Sequence, residues 1–170
     1  DRTSRGLGDV YKRQQIKSLG FVMLIIATMF LVLFKSIALM IIGIVPNLIS
    51  ALLVLGIMGI LKLPLDMMTI TIAAITVGIA VDNSIHYIYR FKEELKICGD
   101  YERTILICHS TIGKAIFFTG ITVIFGFSIL ILSNFIPTII FGVLTGFAML
   151  VALIAVLTLL PRMLISFKPI

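Results

Sequence analysis

Long apolar stretches separated by short polar ones organise this chain. Five such blocks occupy residues 18–34, 36–61, 67–89, 115–133 and 135–160. A helix that crosses a bilayer needs about 20 apolar residues, with a working range of about 17–25, so each block predicts one crossing. The first is short, and Lys17 and Lys35 at its ends can extend it by reaching toward the membrane surface. Lys35 and Ser36 form a tight link between the first two blocks. Lys62, Pro64 and Asp66 end the second and start the third. Ser133, Asn134 and Pro137 do the same between the last two, with Pro137 near a helix start. The main polar segment is residues 90–114. Within it Asp100 predicts the cap of a short helix carrying Tyr101, Ile105, Cys108 and Ile112 along one side. That helix is expected either along the membrane surface or as a solvated loop. The pattern as a whole predicts an all-α membrane protein with five transmembrane helices and a short surface helix.

Composition agrees and narrows the class. The chain is 60% hydrophobic with a mean hydropathy of +1.20. Only 13% of its residues are charged, against about 25% in soluble domains. The formal net charge of +6 does not point to nucleic acid, because the basic residues gather at the ends of apolar blocks. Five crossings put the loops after the first, third and fifth blocks on one side. Those loops carry Lys35, Arg90, Lys92, Lys96, Arg103, Lys114, Arg162 and Lys168, whereas the other side has Lys62 and Lys17. The positive-inside rule makes the richer side cytoplasmic, so the native start of the chain faces outward and the C-terminus inward. An outward start is expected to follow an external domain and a further helix. Cys98 and Cys108 fit no zinc spacing and are expected to be reduced and of minor structural weight. Residues 1–14 are polar, lack the apolar core of a signal peptide and resemble translated adapter sequence. They are expected to be foreign to the natural protein, leaving residues 15–170 as the membrane domain.

Polar residues inside the apolar blocks mark candidate chemistry. Asp82 stands in the third block, where a carboxylate costs about 2.5–3.5 kcal/mol on insertion scales. Such a residue either takes part in proton or ion movement or is a neutral or paired structural carboxylate. Thr71, Ile75, Gly78, Asp82 and His86 recur at helical spacing and predict a packed interior face. Gly78, one turn before Asp82, would let a neighbouring helix approach closely. His86 could pass protons to Asp82 or be a hydrogen-bonded interfacial histidine. Asn83 could donate a hydrogen bond to a neighbouring helix. Thr119 and Thr122, three apart on the fourth block, are the best candidates to meet Asp82. No lysine or arginine is available within the blocks to neutralise it, which favours a carboxyl that can take up a proton. Pro46 and Asn47 sit midway along the second block and should kink it and free backbone carbonyls.

Residues 78–94 run from Gly78 through Asp82 and His86 to Arg90, Lys92, Glu93 and Glu94. This stretch resembles the GxxxD helix of the resistance-nodulation-division (RND) superfamily, and more narrowly its MMPL branch of predicted exporters. Residues 113–133, Phe141-Gly142 and Leu160-Pro161 are similar to that family's next two helices. The resemblance covers residues 15–170. It implies an RND-type half-transporter bundle, matching helices 8 to 12 of a two-halved protein, or helices 2 to 6. It implies that Asp82 is the acid that carries protons inward and drives export of lipids or other hydrophobic compounds, in a bacterial inner membrane. The partners so implied are the other half and the external domain of the same protein, the hydrophobic substrate and protons. Many relatives have tyrosine or a second aspartate where this chain has Asn83, so the pairing partner of the acid is not carried over.

No Ser/His/Asp arrangement, phosphate-binding glycine loop, HExxH or CxxC occurs. A secondary transporter rather than an enzyme is therefore expected, with no cofactor and no metal. Two other classes within the superfamily share GxxxD. A sterol-sensing or Patched-like lipid-binding module is opposed by the compact loops. A SecD/SecF-like translocation accessory is opposed by the histidine after Asp82.

Overall fold

A computed structural model describes residues 2–63 and 67–169, the side chains at positions 2 and 4 aside. Seven α-helices follow in order: α1 Arg2–Phe34, α2 Ile37–Ile60, α3 Met67–Cys98, α4 Tyr101–Cys108, α5 Lys114–Ser128, α6 Ile136–Ile154 and α7 Leu160–Phe167. A π-helical turn, His109–Gly113, joins α4 to α5, and a second, Ala155–Leu159, joins α6 to α7. A 3₁₀ turn, Ile129–Leu132, closes α5. Five helical runs are long and apolar enough to cross a membrane, and no strand occurs among the described residues. The all-α, five-span architecture therefore stands.

The helix ends follow their local chemistry. Ser36 is extended and its hydroxyl accepts the Leu39 N–H at 3.4 Å, capping α2. Pro137 lies in the first turn of α6, where its missing N–H costs nothing. Lys35, Gly99 and Lys168 adopt positive φ just past α1, α3 and α7. Each returns its N–H to the carbonyl four residues earlier, Leu31, Leu95 and Leu164 respectively. This is the left-handed termination that satisfies one orphan carbonyl, and the two lysines also set a positive charge at the negative end of a helix dipole. Lys62 likewise has positive φ after α2, while Pro64 and Asp66 lie outside the described residues.

Several boundaries move. The third helix runs to Cys98 rather than residue 89. At about 1.5 Å per residue it is about 48 Å long, against about 30 Å of bilayer hydrocarbon. Its last turns therefore stand beyond the membrane. The fifth run continues through the second π turn to Phe167. The first helix extends through residues 2–14, which are largely exposed. The short helix expected after Asp100 is α4, and it continues through the first π turn and α5 as one helical run, Tyr101–Leu132. Its beginning packs on the protruding end of α3, with Phe91 and Tyr101 ring centroids 5.8 Å apart. The predicted stripe is the one that packs: Cys108 is fully buried, and Tyr101, Ile105 and Ile112 lie against the same cluster. Asp100 occupies the N-cap position, yet its side chain makes no capping bond. Instead its carbonyl accepts both the backbone N–H and the hydroxyl of Thr104.

α2, α3 and α6 pack on one another and form the centre, with α1 added outside α2 and α5 outside α6. Glycines set the closest approaches. A Cβ on Gly43 would lie 2.5 Å from Phe30, and one on Gly120 would lie 2.7 Å from Leu153. At Gly142 it would lie 2.7 Å from the Leu130 Cβ and 2.8 Å from the Phe127 carbonyl oxygen. α2 continues through Pro46 as helix. The Asn47 side chain donates to the Gly43 carbonyl at 2.7 Å, and the Ser50 hydroxyl donates to the Pro46 carbonyl at 2.8 Å. The outer faces of α1 and α5 show large apolar side chains such as Phe21, Leu24, Phe118 and Phe125, as lipid-facing surfaces do.

Candidate functional site

Asp82 lies at the midpoint of α3. The packed side of this helix is Thr69, Ile72, Ala73, Thr76, Val77, Ala80, Val81, Ser84, Tyr87, Ile88, Phe91 and Leu95. Asp82 is two residues on from Ala80, about 200° around the helix, and so points away from that side. Its side chain is 70% exposed, and that of His86 is 62% exposed. His86 Nε2 stands 3.4 Å from Asp82 Oδ1, one turn along the same face. Thr71 and Gly78 are exposed on this stripe too. The expected packed interior face is thus corrected: among the described residues nothing packs over Asp82 and His86, while Gly78 borders a pocket of about 190 Å³ shared with α1. Gly78 has no atom of another helix within 4 Å of where its Cβ would be.

The structure does not bring Thr119 and Thr122 to Asp82. α5 packs on α6, using Ile116 and Gly120. Thr119 and Thr122 are exposed, and the Thr122 hydroxyl donates to its own helix at Phe118. Asn83 is half-buried beside the acid.

The polar contact between α3 and the interior falls on Ser84 instead. Its hydroxyl accepts a bond from Asn47 Nδ2 at 3.3 Å while donating to the Ala80 carbonyl at 2.9 Å. Asn47 is almost fully buried, and its Oδ1 has no partner among the described residues. The sequence signal for this contact was the run of small residues Ala73, Thr76, Ala80 and Ser84 at spacings of three and four, the mark of close helix approach in membranes. A second buried link joins α3 to the first π turn: the Tyr87 hydroxyl and His109 Nδ1 are 2.8 Å apart, with Tyr87 fully buried.

Below Asp82, toward the end of α3, charges gather. Arg90 and Glu94 pair at 2.6 Å, and Lys92 Nζ donates to the Phe34 carbonyl at 3.4 Å. Lys168 stands 5.7 Å from the Tyr101 ring centroid. These contacts bring the end of α1, the end of α3, the start of α4 and the end of α7 to one end of the bundle, the basic end. Among the described residues no three histidine, cysteine or acidic side chains come together as a metal site. Cys98 and Cys108 are unpaired thiols.

A five-span bundle with a carboxylate at mid-helix, an adjacent histidine and a basic end defines a polytopic membrane protein. The chain belongs to the MMPL family, whose model matches residues 4–167. It is 30% identical over 120 residues to MJ1562 of Methanocaldococcus jannaschii, covering 71% of this chain and 31% of that protein. It is 35% identical over 149 residues to YdgH of Bacillus subtilis, covering 84% of this chain and 16% of that protein. Both relatives are named only as membrane proteins. The chain thus spans less than a third of the length of either. No solved structure matches it at a significant level.

Proposed function

We propose that this chain is part of an exporter of lipids or other hydrophobic compounds driven by the proton-motive force, with Asp82 as the intramembrane proton carrier. The observation that carries the reading is the placement of Asp82: at mid-helix, on a face of α3 that the described residues leave exposed, with His86 at 3.4 Å toward the basic end. A carboxylate aimed at plain lipid is unfavourable, so a further part of the full-length protein covers this face. Gly78 on the same stripe gives that part room to approach. His86 hands protons between Asp82 and the basic end, which the positive-inside rule makes cytoplasmic. Asn83 orients the covering helix from the flank. Thr119 and Thr122, turned outward on α5, are available only to a neighbour outside this chain.

The test is carbodiimide labelling of Asp82 in the full-length protein across pH, read by mass spectrometry. Labelling that declines as pH rises marks a carboxyl that exchanges protons. A folded, reachable Asp82 that fails to label at any pH is a fixed structural carboxylate, and the exporter reading fails with it. Asp82→Asn should abolish substrate-linked proton movement in proteoliposomes while leaving the protein monodisperse.

A further inference from the structure

A pocket of about 430 Å³ opens between the two π turns, lined by His109, Gly113, Lys114, Phe117, Phe118 and Leu157. It is of the size of small-molecule and lipid sites. His109 and Gly113 belong to the first π turn and Leu157 to the second, so both widened turns of the bundle frame one cavity. Such turns occur disproportionately at functional sites. Nothing in the Asp82 site uses it.

Its lining is ordered by polarity. His109 and Lys114 form the end nearest the basic end of the bundle. Phe117 and Phe118 follow one turn deeper into the apolar part of the helix; Phe118 is largely exposed and Phe117 about half exposed. Lys114 is exposed, and among the described residues it has no acidic partner. His109 has one ring nitrogen, Nδ1, engaged with the Tyr87 hydroxyl at 2.8 Å. When that hydroxyl donates, the ring proton resides on Nε2, leaving a free donor. One cation and one N–H donor at the rim, with aromatic and aliphatic walls below, complement a phosphate joined to acyl chains.

We propose that this pocket is a binding site for an anionic phospholipid. The phosphate is held by Lys114 and His109, and an acyl chain lies along Phe117, Phe118 and Leu157. The inference takes from the proposed function only the orientation that places this end at the cytoplasmic leaflet, and it does not depend on Asp82.

The test uses the full-length protein in nanodiscs with photoactivatable phosphatidylglycerol or phosphatidylcholine, each carrying a diazirine in the acyl chain. Crosslinks are mapped by tandem mass spectrometry. Phosphatidylglycerol should label Phe117, Phe118 or Leu157 about five-fold more than phosphatidylcholine, the preference one surface lysine confers. Lys114→Gln should bring that ratio close to one, while Lys62→Gln at the opposite end should leave it unchanged. Leu157→Trp, which fills the cavity, should remove labelling by both lipids. Equal labelling of the unsubstituted protein by the two lipids overturns the proposal, as does a ratio unmoved by Lys114→Gln. Loss of the label to excess inorganic phosphate would assign the site to free phosphate and overturn it as well. None of these substitutions touches Asp82, so this result and the carbodiimide result stand or fall separately.

Discussion

Gly142 offers the sharpest test of how the bundle is assembled. A methyl group added there would meet the Leu130 Cβ at 2.7 Å and the Phe127 carbonyl oxygen at 2.8 Å. The oxygen is backbone in an adjoining helix and cannot swing aside, so α6 and the end of α5 must separate. Overpacking of this kind costs about 1–3 kcal/mol. Exchanging glycine for alanine also returns about 0.8–1.0 kcal/mol of helix propensity, which would mask part of the clash. Gly126 supplies the reference, because it lies in α5 with nothing within 4 Å of its Cβ position. Gly126→Ala receives the propensity term without the clash, so the difference between the two variants isolates the contact. Gly142→Ala should therefore be less stable than Gly126→Ala by about 1–3 kcal/mol, or roughly 5- to 150-fold in the unfolding equilibrium. Reversible SDS titration of the full-length protein in mixed micelles, followed by circular dichroism, measures it. Equal midpoints, or a Gly142→Ala protein more stable than Gly126→Ala, would refute the α5–α6 packing described above.

The buried polar contacts give smaller, graded expectations in the same assay. Ser84→Ala removes the acceptor for Asn47 Nδ2, which keeps its bond to the Gly43 carbonyl. The loss should be about 0.6 kcal/mol, the average worth of a hydrogen bond between membrane helices. Asn47→Leu also removes a buried oxygen that has no partner among the described residues. It should be close to neutral, and a loss above about 2 kcal/mol would mean that this oxygen is satisfied in the whole protein. Tyr87→Phe deletes the hydroxyl bonded to His109 and should cost about 0.5–1.5 kcal/mol. No change would show that this link carries no stability.

The chain's apolar blocks were enough to count its helices, because only a helix of about 20 apolar residues satisfies its own backbone across hydrocarbon. The charges at the block ends were enough to group Lys35, Lys92 and Lys168, which the structure brings to one end. Asp82 and His86 were legible as a pair one turn apart, since spacing alone fixes that. The sequence could not say which side of each helix faces its neighbours. In water, apolar residues point inward and polar ones outward, but lipid is as apolar as a protein core and removes that contrast. α3 carried two defensible stripes, one through Thr71, Gly78, Asp82 and His86, and one through Ala73, Thr76, Ala80 and Ser84. Tertiary packing selected the second, because small side chains let α2 and α6 close on α3. The same choice left Asp82 on the open face and turned Thr119 and Thr122 away on α5. Packing also decided that Tyr101–Leu132 is one run. The polar segment from 90 to 114 reads as a loop from its hydropathy, but α3 outlasts the membrane and offers Phe91 and Leu95 as a surface against which α4 can fold.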